Sequence, residues 1–199
     1  MVRIYLERYE TLEGKKNRGL EHGLGKKLLD QGMKELYGWV PGVETPPVVL
    51  KGEHGKPFFK DHPRIHFNIS HTDGMVACAI GDRQLGIDVE RVRPYPESVP
   101  RRVFSEAERR RLEEMPEAER SRYFFRIWTL KESYVKAAGC GLTVPLTEIS
   151  FDYKSDGTAF CPVPDVFFHQ KMLEGEYVLS LCTYGEAEVN FAEPSLSSV

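Results

Sequence analysis

Three consecutive segments between residues 65 and 90 have the residue pattern of β-strands, and they constrain the fold more than any other feature of the chain. The first alternates apolar and polar residues over 65–70, and the second is an apolar run over 75–80. Turn residues 71–74 separate these two segments, which predicts a β-hairpin. The third segment, 85–90, alternates again, with Asp88 and Glu90 on the opposite face from its apolar residues.

Two longer segments have the features of helices. Residues 17–37 are rich in leucine and charge and are followed by Gly38, and residues 116–138 are followed by Gly139. The apolar residues of the second helix step by three and four along one face, and they are Phe124, Ile127, Leu130, Tyr134 and Ala138. Further strands are predicted at 149–153, 158–161, 166–173 and 177–184.

The order of helix, loops and hairpin occurs once before residue 85 and again after it. Residues 74–80 also resemble residues 176–182, and each is a strand that follows a turn. We therefore predict an α+β fold of two similar halves, residues 1–84 and 85–191. The tail, residues 192–199, is small and polar and is expected to fray. The match between residues 74–80 and 176–182 is by itself too short to establish a duplication.

The composition excludes several classes of protein. The chain has 199 residues, with 27 Lys and Arg against 30 Asp and Glu, whereas nucleic-acid-binding domains are usually strongly basic. No apolar run approaches the ~20 residues of a membrane span, and the first residues are charged where a signal peptide is apolar. The four cysteines include no CxxC pair, which disfavours a zinc site and a disulfide scaffold. We expect a cytoplasmic protein that binds neither nucleic acid nor a membrane.

Four charged residues are candidates for chemistry. Asp88 and Glu90 are two apart on a strand, so their side chains leave the same face about 7 Å apart. Such a pair suits Mg²⁺, although a strand face that meets water is the alternative. Glu132 and Lys136 are four apart on the second helix. They offer a third metal ligand and a phosphate-binding cation, or else an ordinary surface ion pair.

Taken together, these fragments carry a resemblance to a known family. In chain order they are Gly55-Lys56-Pro57, Phe67-Asn68-Ile69-Ser70-His71, Gly86-Ile87-Asp88-Val89-Glu90 and Trp128-Thr129-Leu130-Lys131-Glu132-Ser133-Tyr134-Val135-Lys136. Their order and spacing resemble the phosphopantetheinyl transferases of the surfactin-synthetase-activating (Sfp) type, over about residues 17–184. The resemblance implies two pseudo-symmetric α+β halves with coenzyme A in the cleft between them. It also implies transfer of the 4'-phosphopantetheine arm to a carrier-protein serine, with release of adenosine 3',5'-bisphosphate.

The resemblance further implies roles for single residues. Asp88, Glu90 and Glu132 match the family's Mg²⁺ ligands, and Glu132 also matches the residue proposed to deprotonate the carrier serine. Lys136 matches a contact to the pyrophosphate. The remaining residues implied to contact coenzyme A, together with Asp88 and Lys136, are Lys56, Ser70 and His71. Candidates for the contact to the 3'-phosphate are Lys15, Lys16, Arg18, Lys26 and Lys27.

Two matters stay open at this point. Glu108 matches an acidic position that the family often carries near its site, yet with Ser105 it also has the spacing of a helix capping box. The second matter is a basic segment that contains Arg91, Arg93, Arg101, Arg102, Arg109, Arg110 and Arg111. We predict that an acidic carrier protein docks there on a monomeric enzyme, and the alternative is a solvated helix face balanced by neighbouring glutamates. A coenzyme A-binding module without catalysis and a Mg²⁺-dependent phosphoesterase are the rival functions.

Overall fold

The structure is a computed structural model that describes residues 1–11, 17–40, 42–143 and 145–192. Its strands are β1 (Val2–Arg8), β2 (Val49–Lys51), β3 (Pro57–Phe59), β4 (His66–Thr72), β5 (Met75–Gly81), β6 (Leu85–Arg91), β7 (Asp152–Tyr153), β8 (Ala159–Phe160), β9 (Val166–Leu173), β10 (Tyr177–Tyr184) and β11 (Val189–Phe191). Its helices are α1 (Arg18–Tyr37), α2 (Ser98–Val103), α3 (Glu106–Glu114) and α4 (Glu117–Ala138). The predicted hairpin is β4–β5, and β9 and β10 have the predicted bounds.

Two sheets form the body of the molecule. The first has the strand order β11-β1-β5-β4, and the second has the order β6-β10-β9. Each sheet is built from a strand, a helix and a hairpin in the same chain order, namely β1, α1, β4, β5 and then β6, α4, β9, β10. The strand order β1-β5-β4 repeats as β6-β10-β9, which confirms the predicted α+β fold with two pseudo-symmetric halves. Strand β11 pairs in parallel with β1, so the chain returns to the first sheet.

The alternation along the strands explains how the layers pack. Ile4 of β1 and Ile87 of β6 belong to one buried cluster between the two sheets. On the far side of the first sheet, α1 packs through Leu28. On the far side of the second sheet, α4 packs through Phe124 and Ile127. The order of layers is therefore helix, sheet, sheet, helix.

Gly86 lets α4 lie directly on β6. A Cβ atom at this position would collide with the main chain of Ser133 and Ala137. Helix α4 ends at Gly139, whose φ of 68° is the left-handed conformation that terminates many helices. Because the backbones of α4 and β6 touch, side chains on the last turns of α4 lie beside those on β6.

Some expectations differ from the structure in detail. Strand β1 was not predicted, although its apolar residues alternate in the manner of a strand. On α4 the buried alanine is Ala137, whereas Ala138 is partly exposed. Apart from Ala192, the tail expected to fray falls outside the described residues. Within the described ranges, no helix is both long and apolar enough to cross a membrane.

Candidate active site

The candidate site lies where β4, at the edge of the first sheet, runs beside β6 of the second. Polar side chains of β4 accept hydrogen bonds from the backbone of β6. Asn68 Oδ1 accepts from the Ile87 N–H at 2.9 Å, and Ser70 Oγ accepts from the Val89 N–H at 3.3 Å. The two halves of the molecule therefore meet at this junction through side chains that satisfy buried backbone donors.

Asp88 is the centre of this junction. Its side chain faces α4, and the residue is only 5% exposed. Oδ1 accepts hydrogen bonds from Lys136 Nζ at 2.6 Å and from Ser70 Oγ at 2.9 Å. Oδ2 is buried and has no hydrogen-bond partner among the described residues. Burial raises the pKa of Asp88, and the Lys136 ammonium acts in the opposite direction. A carboxylate that simply meets water is therefore the wrong interpretation of Asp88.

Glu132 and Lys136 do not form the local helix pair that their spacing allows. Both residues are described, and no ion pair joins them, because Lys136 turns to Asp88 instead. Glu132 is partly buried. Burial raises its pKa, the negative charge of Asp88 raises it further, and the Lys136 ammonium opposes both. The last turns of α4 thus bring a carboxylate and an ammonium to Asp88.

Glu90 is the third carboxylate of the site, with 20% of its side chain in solvent. Its Oε2 accepts hydrogen bonds from Arg93 Nη1 at 2.8 Å and from Thr72 Oγ1 at 3.2 Å. The charge of Glu90 is close enough to raise the pKa of Asp88 and of Glu132. In the described part of the chain, however, no three His, Cys, Asp or Glu side chains are grouped closely enough to hold a metal ion.

Ser70 and Lys56 have structural partners. The Ser70 hydroxyl donates to Asp88 and accepts from Val89 N and from Lys136 Nζ at 3.1 Å, so its one proton and two lone pairs are all used. Lys56 Nζ donates to the carbonyl of Leu85 at 2.9 Å and to that of Ala137 at 2.8 Å, which ties β6 to the end of α4. Burial lowers the pKa of Lys56 to about 8. Their contacts to coenzyme A remain predictions.

His71 lies on the other face of β4, beside a cavity of about 680 Å³ between α1, the β2–β3 hairpin and β4. Its Nδ1 lies 3.2 Å from Glu21 Oε2. The cavity has apolar walls, and its basic lining residues besides His71 are Arg18, His22, Lys26 and Lys51. Of the other candidates for a 3'-phosphate contact, Lys27 pairs with Glu7, and Lys15 and Lys16 lie outside the described residues. The sequence analysis did not identify Lys51 as a candidate, because no motif around it indicates a binding residue.

Glu108 has a structural role away from this junction. It forms the capping box of α3 with Ser105, and its Oε1 accepts from the Phe151 N–H at 2.7 Å. Its Oε2 pairs with Lys131 Nζ at 2.9 Å, and both side chains are almost completely buried. Lys131 also donates to two backbone carbonyls. Because both of its carboxylate oxygens are used, Glu108 is explained by the fold without a part in catalysis.

Comparison with known proteins adds independent findings. The family model of the 4'-phosphopantetheinyl transferase superfamily matches residues 84–182. A 4'-phosphopantetheinyl transferase of Bacillus subtilis is 35% identical over 163 residues, which are 80% of this chain and 71% of the relative. The 4'-phosphopantetheinyl transferase Sfp of Bacillus subtilis strain 168 is 38% identical over 113 residues, which are 57% of this chain and half of that protein.

Among solved structures, a holo-(acyl-carrier-protein) synthase from Bacillus anthracis in complex with CoA (3',5'-ADP) is similar to part of the chain. The TM-score is 0.45 at 17% identity, and the match covers 52% of this chain and 96% of that one. The B. subtilis transferase with 35% identity spans most of both proteins and decides the assignment. The chain belongs to the 4'-phosphopantetheinyl transferase superfamily.

Proposed function

We propose that this protein transfers the 4'-phosphopantetheine arm of coenzyme A to a serine of a carrier protein. The serine oxygen bonds to the phosphorus that carries pantetheine, and the bond from this phosphorus to the bridging oxygen breaks. Adenosine 3',5'-bisphosphate leaves, and the serine proton passes to a base. The observation that carries the proposal is Asp88, a buried carboxylate held by Ser70 and Lys136 whose second oxygen has no partner within the described residues.

The chemistry of the site fits a bound Mg²⁺ ion. A hard cation takes carboxylate oxygens, and Asp88 Oδ2 is a buried oxygen without a described partner, with Glu90 and Glu132 as its charged neighbours. We propose these three carboxylates as the ligands, which requires them to come closer together than they lie among the described residues of this structure. When bound, the ion would act as a Lewis acid that offsets the negative charge of the pyrophosphate.

Glu132 and Lys136 have proposed roles in the transfer itself. The raised pKa of Glu132 makes it a stronger base than an exposed glutamate, which suits removal of the serine proton directly or through water. A role as metal ligand alone is the other possibility for Glu132. Lys136 carries a positive charge beside Asp88, where it would stabilise the charge on the leaving bisphosphate.

We assign the nucleotide end of coenzyme A to the cavity beside His71. A volume of about 680 Å³ is within the usual range of small-molecule sites. Apolar residues such as Phe59 and Phe67 offer contacts for the adenine, and basic residues at the rim suit its phosphates. Of the five basic residues considered from the sequence, Arg18 and Lys26 line this cavity and are therefore preferred for the 3'-phosphate, and Lys26 would bind it beside its ion-pair partner Asp30.

An acidic carrier protein is proposed to dock on the arginine segment, which runs from Arg91 at the end of β6 to Arg111 in α3. Several arginines of this segment pair with acidic residues, such as Arg110 with Glu106 at 2.9 Å. Arg101 and Arg102 are exposed on the last turn of α2 and offer positive charge to a partner. Charge complementarity of this kind raises association rates. We also propose that the enzyme is a monomer of the cytoplasm, which agrees with the absence of disulfides among its described cysteines.

The mass of a carrier protein tests the proposed function. We would incubate the enzyme with coenzyme A, Mg²⁺ and apo carriers of fatty acid, polyketide and nonribosomal peptide synthesis in turn. The expected result is a gain of ~340 Da on at least one carrier and none on a carrier whose serine is replaced by alanine. Binding of coenzyme A without a mass gain would indicate a non-catalytic module. Rapid release of adenosine 3',5'-bisphosphate without a carrier would indicate a phosphoesterase, and either result would contradict the proposal.

A further inference from the structure

The hydroxyl of Ser70 holds Asp88 through two hydrogen bonds to the same strand. It accepts from the Val89 N–H at 3.3 Å and donates to Asp88 Oδ1 at 2.9 Å. The hydrogen bond from the Val89 N–H fixes the Ser70 hydroxyl against β6. The hydrogen bond from this hydroxyl to Asp88 then fixes the carboxylate of the residue just before Val89. Asp88 is therefore oriented by a residue of the neighbouring sheet.

The same arrangement is repeated one step further along both strands. Thr72 Oγ1 accepts from the Arg91 N–H at 3.3 Å and donates to Glu90 Oε2 at 3.2 Å. Thr72 is 8% exposed and Ser70 is 5% exposed, so both residues are buried. A hydroxyl of β4 thus holds each of the two carboxylates on β6.

A cationic side chain completes each arrangement on the same oxygen atom. Lys136 Nζ lies 2.6 Å from Asp88 Oδ1, and Arg93 Nη1 lies 2.8 Å from Glu90 Oε2. In both carboxylates, one oxygen receives the hydroxyl and the cation. The other oxygen of each carboxylate takes no part in these contacts.

We infer that Thr72 is a positioning residue of the active site, which orients Glu90 as Ser70 orients Asp88. The inference rests on the proposed function for the use of Glu90 as a ligand, but the hydrogen bonds of Thr72 do not depend on it. Groups that orient the ligands of a metal affect its binding strongly, and their loss commonly costs ~10- to 100-fold in metal affinity or activity.

Three variants separate positioning from packing. Thr72→Val keeps the shape of the side chain and removes the hydroxyl, whereas Thr72→Ser keeps the hydroxyl. Thr183→Val is the matched control, because Thr183 is buried on β10 and its hydroxyl donates to the carbonyl of Gly185. Melting temperatures establish that each variant is folded, and Thr72→Ala replaces Thr72→Val if the latter does not fold.

The first measurement is the affinity for Mn²⁺, read by electron paramagnetic resonance with coenzyme A present. We expect Thr72→Val to weaken Mn²⁺ binding ~10-fold or more, and Thr72→Ser and Thr183→Val to stay within about threefold of the wild type. Equal losses in Thr72→Val and Thr72→Ser would overturn the inference, because the hydroxyl would then be irrelevant. A loss as large in Thr183→Val would overturn it as well.

The second measurement needs neither metal nor coenzyme A. Hydrogen exchange of the Arg91 amide should be ~10-fold faster in Thr72→Val and unchanged in Thr72→Ser. Unchanged exchange in Thr72→Val would overturn the inference even if the enzyme transfers phosphopantetheine. If the wild type neither transfers the arm nor binds Mn²⁺, the proposed function fails, and the exchange of Arg91 still decides whether Thr72 holds this strand.

Discussion

Two lysines of α4, Lys131 and Lys136, form ion pairs with carboxylates. The two pairs differ in whether all of their polar atoms have hydrogen-bond partners. Lys131 and Glu108 use all their strong donors and acceptors inside the protein, on each other and on backbone groups. Lys136 and Asp88 leave one buried oxygen, Asp88 Oδ2, without a partner among the described residues. We therefore assign the fully satisfied pair to the stability of the fold and propose that the unsatisfied pair is arranged for a ligand.

The Glu108 pair should therefore matter for stability. Glu108→Gln leaves the buried ammonium of Lys131 without its counter-ion, and breaking such a pair costs about 3–5 kcal/mol. We expect urea unfolding to show a loss of this order. Glu106→Gln is the control, because Glu106 and its partner Arg110 are exposed, and its loss should stay below about 0.5 kcal/mol. Similar small losses in both variants would contradict the structural role of Glu108.

The ammonium of Lys56 gives a pH dependence. Burial lowers its pKa to about 8 in the folded protein, whereas in the unfolded chain it titrates near about 10.4. Between these values the unfolded chain binds more protons, so the free energy of unfolding rises with pH. Relative to Lys56→Met, wild-type stability should increase by about 1–2 kcal/mol from pH 7 to pH 10, after allowance for solvent screening.

Urea unfolding at the two pH values checks this prediction. Lys60 is exposed, and the difference between the wild type and Lys60→Met should not depend on pH in this way. The prediction is contradicted if the free energy of unfolding of the wild type, relative to that of Lys56→Met, falls as the pH rises. Lys56 would then not be held in a desolvating environment.

At the scale of elements, the contact of α4 with β6 positions the residues that we propose as catalytic. A methyl group at Gly86 has no room against the α4 backbone, so Gly86→Ala should push the helix away from the strand. We expect loss of transfer activity and a large loss of melting temperature. Gly23→Ala is the control, because Gly23 lies in α1 with open space around it. This substitution should stabilise the protein by about 1 kcal/mol, since alanine favours a helix more than glycine does. A stable, active Gly86→Ala variant would contradict this account of the contact.

The strands and the helix that carry the proposed site residues Ser70, Asp88 and Lys136 could be predicted from local pattern, and the contacts between them could not. Alternation located β4 and β6, and glycines located the ends of α1 and α4, because these signals act within a few residues. The i,i+4 spacing predicts an ion pair between Lys136 and Glu132. In the structure Lys136 instead donates a hydrogen bond to Asp88, 48 residues away in the chain. Likewise, the hydroxyl of Thr72 carries no local sign that it reaches Glu90 on another strand.

At the scale of the whole molecule, the two sheets repeat one topology and meet at the site. The segments whose sequences resemble each other, 74–80 and 176–182, fall largely on β5 and β10, which lie between β1 and β4 and between β6 and β9. We propose a boundary between the halves in the turn that connects β5 to β6, near residue 84. Strand β11 crosses this division, because it belongs to the second half in sequence and to the first sheet in space.

The proposed docking of the carrier on the arginine segment can be tested by reversing single charges on the surface. Arg102→Glu should raise the KM for the carrier severalfold and leave the KM for coenzyme A unchanged, and the effect should shrink as salt screens exposed charges. Arg83→Glu is the control, since Arg83 is exposed in the turn before β6, at the opposite end of that strand from the arginine segment. If Arg83→Glu has the same effect, or if both KM values rise together, this segment is not the docking site.

We propose that the buried carboxylate of Asp88 serves the transfer and not the fold. Asp88→Asn keeps the size of the side chain and removes its charge, and the matched control is Asp82→Asn, because Asp82 is an exposed partner of the N-terminal amine. The decisive measurement is the rate at which each folded variant adds phosphopantetheine to an apo carrier. We expect a loss of at least ~10²-fold for Asp88→Asn with an unchanged or higher melting temperature, and a near-normal rate for Asp82→Asn. A stable Asp88→Asn enzyme that modifies the carrier at the wild-type rate would contradict a role of Asp88 in the transfer.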